Sequence, residues 1–174
     1  LEHISGLLQW DQYTKMPPNG SDGRSEQLAL LSSLAHAQLT DPAMGELLEA
    51  LEKADLDEVQ AASLRNTRRN YERAHRVDAV LVQRLARAQA VGFEDWRIAK
   101  EASDFSLFSG SLRDLVDLSR ERARSIDDRQ EPYDVLLDDY DPGLESDFLD
   151  TSFGRLRTEL SELLHAIAGQ PDPP

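Results

Sequence analysis

The amino-acid sequence predicts an all-α protein, an array of about seven helices, and three observations carry that prediction. Apolar residues recur at spacings of three and four along most of the chain, the period of one helix face. No stretch alternates apolar and polar residues as a half-buried strand does. Pro and Gly divide the periodic stretches at Pro17-Pro18-Asn19-Gly20, at Asp127 to Pro132 and at Asp141-Pro142-Gly143, where a fixed φ and a missing donor stop a helix.

The elements follow in chain order. The first is an amphipathic start that runs into the Met16-Pro17-Pro18 stop. Leu28, Leu31, Leu34 and Ala35 form the stripe of the second. Asp41-Pro42 opens the third, since Asp caps a helix and Pro fits its first turn, and Met44, Leu47, Leu48, Leu51 and Ala54 share its inner face. Three more are expected at about Leu56 to Arg76, about Ala79 to Glu101 and about Ser111 to Ile126, the last with Leu112, Leu115, Val116 and Ser119 inward. In the seventh, Leu149, Phe153, Leu156, Leu160, Leu163 and Ile167 alternate steps of four and three. That is the seam of a helix packed lengthwise on a neighbour, so it is core or interface.

Composition bounds what such an array does. With 174 residues, one helical domain over residues 1–170 can bury a core without staples, leaving 171–174 as a linker. The chain starts at Leu1 and ends in Gln170-Pro171-Asp172-Pro173-Pro174, which reads as a piece of a longer protein cut at that linker. No cysteine is present, so disulfides and thiolate metal sites are excluded. Nineteen basic against 33 acidic residues give a net charge of −14, which argues against nucleic acid and anionic membrane surfaces, both polyanions. No apolar run spans a bilayer and no leader pattern opens the chain. A cytoplasmic protein is expected.

Several clusters invite a chemical reading. In Trp10-Asp11-Gln12-Tyr13-Thr14-Lys15-Met16-Pro17-Pro18, Asp11 and Thr14 can hydrogen-bond the chain as it leaves the helix, while Trp10 offers a large apolar face. The run is then either a capped helix end with a buried Trp or a wall facing a substrate. Asp134, Asp138, Asp139 and Asp141 gather oxygens after Pro132-Tyr133, but without the mid-loop Gly and terminal bidentate Glu of a calcium loop. Arg65, Arg68, Arg69, Arg73 and Arg76 share one broad helix face. Such a face pairs with acidic neighbours, or it holds a carboxylate bidentately. Glu72 to His75 and Glu162 to His165 have the three-residue spacing of a dinuclear-iron bundle, with Glu46 or Glu49 and Glu101 or Glu121 as the further carboxylates. Against that reading, Arg69, Arg73 and Arg76 interleave the first pair and would set uncompensated positive charge beside a metal. His3 and His36 have no motif around them, and neither a nucleophile elbow nor a glycine-rich phosphate loop occurs.

Two of these runs, taken together, resemble the carboxypeptidase Taq family of metal-dependent carboxypeptidases. Trp10 to Pro18 looks like that family's opening signature, and Pro132 to Gly143 is close to its P-Y-D-x-L-L-D-x-Y-x-P-G. Between them Arg24 to Leu31, Arg68-Arg69-Asn70-Tyr71-Glu72-Arg73-Ala74, Trp96 and Asp104-Phe105 are similar to the family in the same order, so the likeness covers nearly the whole chain. It implies the N-terminal part of a larger, cleft-shaped helical metallopeptidase, commonly dimeric. Such an enzyme removes C-terminal residues from peptides with a zinc-type divalent metal, an activated water and a glutamate base. The helices here would then be cleft wall or lid, with Trp10, Asp11, Tyr133 and Asp134 as cleft-wall candidates. The family's zinc-binding H-E-x-x-H occurs nowhere in these 174 residues. No catalytic residue, metal ligand or cofactor is therefore assigned to this chain, which is expected to be inactive alone. The expected partners are the remainder of the same polypeptide, a peptide substrate in the intact enzyme, and a second copy in a homodimer. A non-enzymatic helical interaction module and a dinuclear-iron bundle are the rival readings.

Overall fold

Aspartate caps set the starts of four helices. Asp41 accepts from the Ala43 N–H at 2.8 Å and Asp78 from the Val80 N–H at 2.7 Å. Asp57 and Gln60 close a reciprocal capping box. Asp104 accepts from the Ser106 N–H at 2.9 Å and its hydroxyl at 2.7 Å. These bonds satisfy donors that a helix start leaves without partners. In the computed structural model, which describes residues 1–169, the elements are α1 (Glu2–Thr14), a 3-10 turn (Pro18–Gly20), α2 (Ser21–Leu39), α3 (Pro42–Leu51), α4 (Glu58–His75), α5 (Ala79–Ala102), α6 (Ser106–Ile126), α7 (Pro132–Leu137) and α8 (Ser146–Ala168). Among the described residues there are eight α-helices and no strand, so the predicted all-α class is the observed one. The added helix is α7, a short element inside the second signature. The linker expected at 171–174 lies outside the described residues.

The chain divides into two compact units, Leu1–Ile126 and the part that begins at Asp127, and the division falls in the Asp127 to Pro132 break. In the first unit α5 is the central element, packed against both α2 and α6. Small residues make this close approach possible: Ala86 and Ala90 on α5, Ala29 on α2 and Ala123 on α6 are all buried. A Cβ on Gly92 would stand 2.8 Å from Leu115 Cδ1, and one on Gly45 of α3 would stand 2.6 Å from the Tyr71 hydroxyl of α4. Arg76, at the end of α4, donates to the Ile126 carbonyl at 2.8 Å, which sets a positive charge on the C-terminal end of α6. On the surface Arg87 grips Glu26 through two bonds of 2.8 and 2.7 Å. The bond from Arg87 holds the Glu26 carboxyl below its ordinary value and raises the guanidinium in turn.

Two helix faces differ from the expected ones. The α6 helix begins at Ser106 and not near Ser111, because Asp104 caps it. Its buried positions are Leu118, Ala123 and Ile126, while Leu112 and Val116 are exposed. On α2 the buried residues are Arg24, Ser25 and Ala29, and Leu34 faces outward. On α2 the small residues Ser25 and Ala29 are turned inward with Leu34 outside the contact, whereas α6 buries Leu118 and Ile126 together with Ala123. The α8 seam is open: no residue of α8 is buried, and Leu156, Leu160, Leu163 and Ile167 are about half exposed. Among the described residues no helix is long and apolar enough to cross a membrane.

Candidate functional site

The opening signature folds as the end of α1, and its polar residues are structural bolts. Arg24 of α2, with a side chain only 10% exposed, donates to Asp11 Oδ2 at 2.5 Å, to Gln27 Oε1 at 3.1 Å and to the Leu8 carbonyl. One guanidinium thus ties two helices through a charge-assisted fork. Gln12 is buried and donates to the Ala90 carbonyl of α5 at 3.3 Å. The Thr14 hydroxyl donates to the Trp10 carbonyl at 2.7 Å, and the Lys15 and Met16 amides both reach the Asp11 carbonyl at 2.8 Å. Met16 then folds against the 3-10 turn, where a Cβ on Gly20 would come within 2.9 Å of its Cγ. Trp10 itself is not buried: it is 55% exposed, because Ser5, Leu8 and Gln12 occupy the inner face of α1. The expected buried Trp is corrected on that point.

Beside this helix end α1, α2, α5 and α6 enclose a cleft of about 460 Å³. Tyr13 meets Phe93 at 4.5 Å between ring centres, and Phe93 meets Trp96 at 5.8 Å, so an aromatic run crosses from α1 to α5. Gln9, Gln12 and Gln89 supply amides to the lining, and no lining residue is charged. In a chain that is 30% charged, such a surface suits neutral polar or aromatic groups.

The second signature is likewise built by its aspartates. Pro132 opens α7, and Val135 is its buried residue. Asp134 accepts from the Ser146 N–H at 2.8 Å and so caps the start of α8 across the intervening turn. Asp138 accepts from the Gly143 N–H at 2.8 Å, and Gly143 takes a φ of +85°, which glycine adopts without strain. These oxygens are engaged by backbone donors, which weighs against calcium. Tyr133 and Tyr140 are exposed, Tyr140 at 89%.

The arginine face holds an ion pair and a bond to a backbone carbonyl. Arg68 meets Glu52 at 2.7 Å and Arg76 is spent on the Ile126 carbonyl. Of the Glu-x-x-His pairs, the His75 ring lies 4.9 Å from the Tyr71 ring in a tilted contact, while His165 donates from Nδ1 to the Ser161 carbonyl at 2.7 Å. The two pairs fall in different units. Among the described residues no group of three or more His, Asp or Glu side chains converges to hold a metal. Gln12, Arg24 and Glu94 are buried polar residues that periodicity does not flag. Gln12 is legible only as the residue four after Leu8, on the same face.

The profile of the carboxypeptidase Taq (M32) metallopeptidase family matches residues 1–174. This chain belongs to that family. Thermostable carboxypeptidase 1 of Thermus thermophilus is 33% identical over 182 residues, covering 97% of this chain and 36% of that protein. Carboxypeptidase 1 of Bacillus subtilis is 28% identical over 170 residues, covering 97% of this chain and 34% of its own length. Among solved structures, the BsuCP crystal structure superimposes with a TM-score of 0.89 at 28% identity, over 97% of this chain and 35% of that one. The Pyrococcus furiosus carboxypeptidase structure gives 0.77 at 28% identity, over 97% and 34%. This M32 chain therefore spans about a third of the length of the relatives it matches.

Proposed function

We propose that this chain is the N-terminal helical region of a zinc-type metallocarboxypeptidase that removes C-terminal residues from peptides. In this reading its helices form cleft wall or lid, and the H-E-x-x-H helix belongs to a part of the polypeptide outside these residues. The single observation that carries it is the family match over the full 174 residues combined with a span of only a third of each relative. The family match also removes the case for a helical module with no enzymatic parent. Trp10 and Tyr133 are the wall residues proper, large and exposed. Asp11 and Asp134 fix the backbone that presents them, one through Arg24 and the other through Ser146. No catalytic step falls to a residue of this chain. A cytoplasmic location and a homodimeric assembly belong to the same reading.

The test compares this chain with the longer natural protein. After dialysis against zinc or cobalt, the longer protein is expected to retain metal and to release C-terminal amino acids from a peptide, with this chain doing neither. Stoichiometric metal on this chain with chelator-sensitive turnover sinks the reading. Trp10→Ala in the longer protein is expected to lower kcat/KM about 10-fold, the loss of a single positioning contact, and an unchanged kcat/KM removes Trp10 from the wall.

A further inference from the structure

The α8 helix presents an apolar stripe along its length. Leu149, Phe153, Leu156, Leu160, Leu163 and Ile167 recur at steps of four and three, and Leu164 widens the stripe on one side. Phe153, Leu156, Leu160, Leu163, Leu164 and Ile167 are 46–65% exposed, on a helix that buries no residue. The charged residues lie off the stripe, with Arg155 held by Glu159 at 2.7 Å. A contiguous apolar stripe of this length marks an interface and not a solvated face. Its alternating step fits one long helix laid nearly parallel or antiparallel, the packing in which side chains at these positions interdigitate.

We infer that the occupant is a helix from the remainder of the same polypeptide, so that α8 is the face on which the following part of the enzyme docks. This rests on the proposed function, in which the chain is part of a longer M32 protein. The matched relatives carry nearly twice as much chain again outside the matched third, and α8 is the last described helix. A following helix would be tethered to α8. Tethering sets an effective concentration on the order of millimolar, which outcompetes a second copy of the chain at micromolar concentration. The same arithmetic explains why the face would pair with another copy once the tethered partner is removed.

The chain has no cysteine, which permits a thiol-accessibility test. Leu156→Cys lies in the stripe and Thr158→Cys on the polar side of the same helix. In the longer natural protein the thiol at position 156 is expected to react with a maleimide about 100-fold more slowly than that at 158, as an amide or side chain in a packed element does relative to an exposed one. In this chain at low concentration the two thiols are expected to react at similar rates. Hydrogen exchange on the unsubstituted longer protein gives the same readout without a variant: amides of residues 153–164 are expected to be protected there. Equal thiol rates and no amide protection in the longer protein overturn the inference while leaving the carboxypeptidase reading intact. Protection at 156 that rises with concentration in the longer protein also overturns it, by making a second copy the occupant. A gene that stops at Pro174 fells the proposed function, and the inference with it.

Discussion

At the scale of single residues, the signatures are held by polar side chains and displayed by aromatic ones. Arg24 decides how α1 meets α2, because its buried guanidinium has three acceptors on two helices. Arg24→Ala is expected to cost about 1–3 kcal/mol, since it removes the bonds to the Leu8 carbonyl and to Asp11, whose side chain is 37% exposed and regains water in part. Arg24→Lys recovers only part of this, as an ammonium cannot reproduce the fork. Chemical denaturation with a double-mutant cycle against Asp11→Ala measures the coupling, and additive losses would show that the pair does not bind the helices. By contrast, Trp10→Ala is expected to cost this chain less than about 1 kcal/mol, the range of surface substitutions, because the indole is exposed. A loss of 3 kcal/mol or more would mean that Trp10 is packed in solution.

At the scale of the element, α6 shows how one cap sets both a boundary and a pH response. Two bonds from Ser106, the hydroxyl first and then the backbone N–H, hold the Asp104 carboxyl below its ordinary value. A carboxyl whose folded pKa is depressed adds stability that is present above its unfolded value of about 4 and is lost as pH falls through the folded value. Asp104→Ala is therefore expected to lower the Tm at neutral pH and to leave the variant and the parent alike at the acid end of the range. Thermal melts from pH 7 down to pH 2 follow the convergence, and a constant gap across that range would rule out the cap as its source. The same cap was within reach of sequence reasoning, since Asp104 stands two residues before Ser106. The apolar pattern by itself begins only near Ser111 and does not include the cap.

At the scale of the whole molecule, the chain is two units joined where the sequence breaks, at Asp127 to Pro132. Arg129 has a side chain 85% exposed, and its guanidinium pairs with Asp127 at 3.3 Å, which raises its pKa. Residues 127–131 lie between α6 and α7, outside either helix. Under limiting trypsin the earliest cut in this chain is expected after Arg129, giving a stable piece that ends there, because proteases select exposed non-helical backbone. Mass spectrometry identifies the products. Earliest cleavage inside α4 or α5 instead would show that the first unit is the looser one.

The sequence by itself determined the all-α class, the seven longer helices and the family, because helical period, caps and prolines are local properties written in neighbouring residues. It also contained both signatures, although not what they do. Only the tertiary structure decided which face of each helix turns inward. The buried set of α2, α5 and α6 mixes Ala29, Ala86, Ala90 and Ala123 with Leu81, Leu118 and Ile126, and an apolar period alone does not say which of two such faces turns inward. The same applies to the polar bolts. Arg24 finds Asp11 thirteen residues back, and Gln12 finds the Ala90 carbonyl seventy-eight residues on, so their roles depend on contacts that exist only once the helices are assembled.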